Sequence, residues 1–327
     1  MDDFFDMDIY DDDNSQSNQK AAPLAANNKQ NNVAPAQQKQ IKRYTGFDFE
    51  REVFGMDEKM LKELLEYKMN IILQGAPGVG KTYTAKRLAY YMLGCKDDSK
   101  IVQVQFHQSY NYDDFVMGLK PTEDGGFRFD HGPFYNICKK AENDPEHGKY
   151  FIIIDEINRG NMSKILGEAF SLIEKGHRNE KITMKYNSEV FSVPDNLYII
   201  GTMNTADRGL VMLDYALRRR FAFFTVEPQY RSDGFRQILI SSDNIKLNKV
   251  AKKIIELNKA ISQDDLLGPG FQIGHSYFCI GKKIDNTDLR YIIDYEILPL
   301  LDEYWYDSPE KIEMWRNTFH TILNSND

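Results

Sequence analysis

The sequence predicts an α/β fold: a parallel sheet flanked by helices, with a smaller helical domain after it. Three stretches carry this prediction. The first, Asn70-Ile71-Ile72-Leu73, is a short apolar strand running into Gly75-x-x-x-x-Gly80-Lys81-Thr82, the phosphate-loop pattern, with an amphipathic helix over 85–93 behind it. The second spans 149–156, where Phe151-Ile152-Ile153-Ile154 ends in Asp155-Glu156. The third spans 196–204, an apolar run ending at Asn204. Unbroken apolar runs of this kind are strands buried on both faces of a parallel sheet. Ligands of such sheets gather at the carboxyl ends of the strands. After Glu227-Pro228 the strand–loop rhythm stops, and 247–261, 289–304 and 309–323 carry helical spacing.

The loop's residues follow from what a polyphosphate requires. Many N–H donors must converge on it, and small residues let the backbone come that close. A helix starting near Lys81 adds its free amides and the positive end of its dipole. Lys81 is expected to reach the β- and γ-phosphates, and the Thr82 hydroxyl to hold Mg²⁺. The expected cofactor-binding run is Gly75, Ala76, Pro77, Gly78, Val79, Gly80, Lys81, Thr82 and Tyr83. Asp155 is expected to hold Mg²⁺ through water. Glu156, one residue on, is placed to orient and deprotonate an attacking water. Asn204 can hydrogen-bond that water or the γ-phosphate.

The chain has 327 residues, enough for two packed domains. Its formal net charge is −8, but seven aspartates fall in the first thirteen residues, and without them the remainder stands at −1. No global basic bias marks a nucleic-acid binder. Cys95, Cys138 and Cys279 are far apart, with no metal-site spacing and an odd count, which fits a reducing cytoplasm. No apolar run approaches the ~20 residues that span a bilayer, and the acidic start is wrong for a signal peptide. Residues 1–45 read as a disordered tail, acidic and then rich in Gln, Asn, Ala and Pro, with too few large apolar groups to offset ordering entropy. The aromatic and aliphatic residues set among the acids, Phe4, Phe5, Met7, Ile9 and Tyr10, also suit a partner-docking peptide.

Taken in order, 57–68 has helical spacing, and 101–106 alternates as a strand. Gly125-Gly126 marks a hairpin turn, and Gly132-Pro133 opens a helix to Glu142. A helix is expected over 163–175 and a β-hairpin over 181–193, turning at Asn187-Ser188. Arg218-Arg219-Arg220 closes a short helix beside the apolar strand at 221–224. Arginine's planar fork suits phosphate, and supplied from a neighbouring subunit it would act as an arginine finger. Gly274-His275-Ser276 could present a helix N-terminus to the nucleotide.

In this order, the motifs resemble the AAA+ ring ATPases. Val104-Gln105-Phe106-His107-Gln108-Ser109-Tyr110, Asp155-Glu156-Ile157-Asn158-Arg159 and Met203-Asn204-Thr205-Ala206-Asp207-Arg208 resemble the McrB family more closely, as do 214–221 and 273–278. The likeness covers about 45–327. It implies an AAA+ domain over 46–228 and a helical lid over 229–327. It implies GTP in preference to ATP, a hexameric ring with sites between subunits, and a McrC-like nuclease partner that stimulates hydrolysis and cuts DNA. Asn204 would then sense the γ-phosphate, Asp207 and Arg159 would help place the lytic water, and Arg219 and Arg220 would act across the interface. Restriction-type relatives carry a folded DNA reader before the motor. Here that place holds the low-complexity tail, so DNA is expected to be met through the complex rather than by this chain alone. Gly209 also stands where the family often has Ser. Two rivals remain: an ATP-dependent protein remodeller, and a scaffold that binds nucleotide without hydrolysing it.

Overall fold

The structure, a computed structural model, describes residues 41–122, 124–207 and 215–325. Residues 1–40 of the expected tail, Arg208, Gly209 and Asp214 lie outside the described residues, whereas its last residues belong to the fold: Arg43 bridges Cys95, the Tyr44 ring is buried, and Thr45 caps the first helix. The elements run α1 (Gly46–Glu52), α2 (Glu58–Lys68), β1 (Asn70–Gly75), α3 (Lys81–Leu93), β2 (Ile101–Gln105), α4 (Tyr112–Phe115), β3 (Met117–Pro121), β4 (Phe127–His131), α5 (Pro133–Glu142) and β5 (Tyr150–Asp155). Then come α6 (Met162–Leu166), β6 (Ile182–Thr183), β7 (Val190–Phe191), β8 (Leu197–Asn204), α7 (Tyr215–Arg220) and β9 (Ala222–Thr225). Helices α8 (Asp233–Ser242), α9 (Ile245–Gln263), α10 (Asn286–Tyr291), α11 (Leu298–Tyr304) and α12 (Pro309–Leu323) complete the described chain.

The central sheet has the order β2-β5-β8-β1-β9, and every pairing in it is parallel. The pleat sends alternate residues to opposite faces. Ile72, Ile152, Ile154 and Ile199 join the core beneath α5 and α6. Ile71, Leu73, Phe151, Ile153, Tyr198 and Ile200 join the core against α1, α2 and α3. This two-sided burial is why the strands read as continuous apolar runs. Register brings the functional tips level: Gly75 pairs with Asn204, and Ile154 with Gly201. The lid has its own core, built on α9, α10, α11 and α12 around Ile254, Leu257, Ile293, Leu301 and Phe319.

Two helix expectations need correction, and one helix was not foreseen. The helix over 163–175 is only five residues long, because Gly167 adopts φ +53° and the chain continues as 3-10 and turn. Its apolar residues Ile165, Leu166, Ala169, Leu172 and Ile173 are nonetheless buried, so the spacing marked the core and not the helix. The helix over 289–304 contains a π-helical stretch, Ile292–Ile297, just before Pro299, which has no N–H for the regular ladder. Helix α8 was not evident from spacing, since Phe235 is its one buried apolar residue. Among the described residues no helix is long and apolar enough to cross a membrane.

Candidate nucleotide-hydrolysis site

The loop after β1 is held in a shape that its glycines permit. Gly78 and Gly80 have φ +71° and +80°, in the left-handed region that costs glycine least. A Cβ on Gly75 would meet the Val226 carbonyl oxygen at 2.3 Å. Gly80 caps α3, whose first residue is Lys81. The Lys81 side chain folds back over the loop. Its Nζ donates to the carbonyls of Gly75 (3.1 Å) and Ala76 (2.8 Å) and to Asn204 Oδ1 (2.6 Å). Burial draws its ammonium down to about 8, while Glu156, Asp207 and Asp155 pull the other way. The Tyr83 ring lies 3.6 Å from the Arg87 guanidinium, which pairs with Glu52 at 2.9 Å.

Asp155 closes β5 and accepts three donors. Thr82 Oγ1 reaches its Oδ1 at 2.8 Å, Thr202 Oγ1 reaches the same oxygen at 2.9 Å, and Gln103 Nε2 reaches Oδ2 at 2.7 Å. Glu156 follows with φ +53° and ψ +44°, left-handed backbone at a residue that is not glycine. Such geometry is sparsely populated and clusters at functional sites. It turns the carboxylate toward β8. Asn204 Nδ2 donates to Glu156 Oε1. Arg159 Nε donates to Glu156 Oε2 at 3.4 Å, and Arg159 Nη2 to Asp207 Oδ2 at 3.1 Å. Lys81, Asn204, Glu156, Arg159 and Asp207 therefore form one hydrogen-bonded chain across the tips of β1, β5 and β8. Thr202 and Gln103 were not evident from sequence; the one available signal was a polar residue inside each strand.

The lid touches the loop directly. Gly274 N donates to Pro77 O at 3.2 Å, and Ser276 N to Gly78 O at 2.9 Å. A Cβ on Gly274 would sit 1.9 Å from the Gly78 carbonyl carbon, and one on Gly78 would sit 2.6 Å from the Tyr277 ring. Of the two readings open for Gly274-His275-Ser276, a helix N-terminus facing the nucleotide or a tight interdomain turn, the contacts fit the turn: the Gly274 and Ser276 amides grip loop carbonyls. His275 faces inward: its Nδ1 accepts from Gln229 N at 3.1 Å, and burial lowers its pKa to about 4.

The arginine trio divides. Arg218 and Arg219 are exposed. Arg220 turns into its own chain, 4.3 Å from the Phe170 ring, with Nη1 donating to Ala216 O at 3.0 Å. Neither Arg219 nor Arg220 contacts this chain's own phosphate loop; both lie near Glu174.

Residues 70–221 match the AAA domain of the dynein-related subfamily, and residues 249–313 match the McrB α-helical lid domain. The chain thus carries an AAA domain followed by a McrB-type lid. It is 48% identical over 273 residues to the type IV methyl-directed restriction enzyme EcoKMcrB subunit of Escherichia coli (strain K12), covering 80% of this chain and 59% of that one. It is 27% identical over 253 residues to the type II restriction enzyme BsuMI component YdiS of Bacillus subtilis (strain 168), covering 62% of this chain and 72% of that one. The chain thus spans less than two thirds of the first relative's length.

The residues fit a triphosphate with Mg²⁺. Among the described residues no cluster of three His, Cys, Asp or Glu groups could hold a metal alone. Mg²⁺ at such sites relies on one or two side chains plus substrate phosphates. Thr82 and Asp155, 2.8 Å apart, offer that pair of oxygens. The glycine turn and the buried Lys81 supply the donors for the phosphates.

Proposed function

We propose that this chain hydrolyses GTP, or failing that ATP, at sites shared between subunits of a ring, as the motor of a DNA-restriction complex. What carries the reading is the convergence of Lys81, Thr82, Asp155, Glu156 and Asn204 on three adjacent strand tips. Lys81 and the amides of Gly75, Ala76, Gly78, Val79 and Gly80 bind the phosphates, while Pro77, which has no N–H to donate, fixes the backbone of the turn between them. Thr82 and Asp155 hold Mg²⁺, which when bound neutralises charge on the β- and γ-phosphate oxygens. Glu156 takes the proton of the attacking water, and Asn204 fixes its carboxylate and meets the γ-phosphate. Arg159 restrains Glu156 from the far side and is itself held by Asp207.

The exposed arginines support an interfacial site. Arg219 is 76% exposed and lies away from its own loop, so it suits the phosphate of an adjoining copy. In this reading, Arg220 supports the helix end from inside. A hexameric ring, a McrC-like nuclease subunit and contact with DNA through the complex complete the proposal, supported by the likeness to a restriction subunit.

The test is steady-state hydrolysis of GTP and ATP, with and without a McrC-like partner. GTP should turn over faster, and the partner should stimulate it. ATP preference with no response to the partner would favour the protein-remodelling alternative. No phosphate release at all would favour the nucleotide-binding scaffold.

A further inference from the structure

Arg219 and Arg220 are sequence neighbours of equal charge held in opposite ways. Arg220 is sunk against Phe170, and its buried Nε has no hydrogen-bond partner. Arg219 stands in solvent. One carboxylate serves both: Glu174 Oε1 lies 3.3 Å from Arg219 Nη2, and Oε2 lies 3.8 Å from Arg220 Nη2.

Glu174 is itself firmly placed. The carbonyl before it, Ile173 O, accepts from Asn70 Nδ2 at 2.7 Å and from Arg178 Nε at 3.1 Å. The same Asn70 Nδ2 donates to Arg220 O at 2.9 Å, and Asn70 Oδ1 accepts from Arg178 Nη2 at 2.8 Å. Asn70 and Arg178 are both buried. A single buried amide therefore sets the spacing between the backbone carrying Glu174 and the end of α7. No group of the phosphate site takes part in this construction.

We propose that Glu174 is a positioning residue that aims Arg219 outward, toward the phosphate site of an adjoining copy. The inference rests on the interfacial reading of Arg219. A free arginine samples many rotamers, and ordering it at the interface costs entropy. The Glu174 carboxylate restrains the guanidinium beforehand and offsets its repulsion by Arg220. Its grip stays light, because an exposed ion pair is weak and Arg219 can exchange it for phosphate. Glu174→Gln keeps the shape and removes the charge. Arg219 should then be donated about three- to tenfold less effectively.

Mixing two defective chains tests this. A Glu156→Gln chain keeps its arginines but cannot activate water. An Arg219→Ala chain keeps Glu156 but donates no Arg219. Each should be nearly inactive alone, and an equal mixture should recover hydrolysis. Glu174→Gln added to the Glu156→Gln chain should lower the recovered rate three- to tenfold, whereas adding it to the Arg219→Ala chain should change the rate less than twofold. A rate that is unchanged in both cases, or that falls equally whichever chain carries the substitution, overturns the role of Glu174 and leaves the interfacial reading intact. A mixture that recovers nothing, or an Arg219→Ala chain fully active alone, overturns both.

Discussion

His275 makes the contact between lid and loop sensitive to acid. Its Nδ1 accepts the Gln229 amide at 3.1 Å, and that bond requires the imidazole to be neutral. The ring packs 5.7 Å from Phe54 and 6.5 Å from Tyr230, and the Tyr230 hydroxyl donates to Gly274 O at 2.7 Å. Burial lowers the folded pKa to about 4, against 6.5 for an ordinary histidine. Between those values the unfolded chain binds the proton and the folded chain does not. The contribution of His275 is thus fully present above pH 6.5 and is lost as pH falls toward 4. The linkage integral gives a loss of about 2 kcal/mol at pH 5 and about 3 kcal/mol at pH 4. Carboxylates titrate in the same range, so the comparison must be with a variant. His275→Asn keeps an acceptor and cannot take up a proton. Urea unfolding of both chains at pH 7, 6 and 5 should show wild type losing about 2 kcal/mol more than the variant between pH 7 and 5. A stability difference that stays constant with pH would refute the buried, neutral imidazole and the argument built on it.

Lys81 titrates at the opposite end of the scale. Its folded pKa of about 8 lies below the ordinary 10.5, so free-chain stability should rise with pH across that window. A bound triphosphate should restore the charge, so binding at pH 8 should take up about half a proton. Calorimetry in two buffers of different ionisation heat measures that uptake, and zero uptake would count against phosphate contact by Lys81. At Gly274, the Cβ of an alanine would fall 1.9 Å from the Gly78 carbonyl carbon. Gly274→Ala should cost about 2 kcal/mol or more and weaken nucleotide binding, read by thermal melting and by titration with a fluorescent nucleotide. A variant matching wild type in both measurements would mean that the lid is free of the loop.

The parts of the fold that were legible in sequence are those whose cause is local. Strands β5 and β8 are buried on both faces, so their residues are apolar through Ile154 and through Ile200, before the chain reaches the ligand edge. The abrupt change to Asp155-Glu156 and to Asn204 is that edge written in sequence. The glycine turn was legible for the same reason, since Gly78 and Gly80 occupy backbone that other residues adopt only at a cost. The failed helix over 163–175 shows the limit of this logic. Its apolar spacing was correct for burial, but one glycine at φ +53° against Tyr112 ended the helix, and spacing is blind to that contact.

The site is legible only up to the residues that bind, while those that orient the binders come from far away in the chain. Asp155 is aimed by Gln103 and Thr202, 52 and 47 residues distant. Arg219 meets Glu174 through a clamp whose central residue, Asn70, opens β1 and reaches Arg220 O across 150 residues. No local pattern distinguishes Arg219 from Arg220, since both follow Arg218 at a helix end. The aromatic face of Phe170 and the buried Asn70 amide separate them, drawing one arginine inward and leaving the other in solvent. The same strand that leads into the phosphate loop therefore also anchors, at its opposite end, the helix end that carries Arg219, the arginine proposed to serve a neighbour's loop.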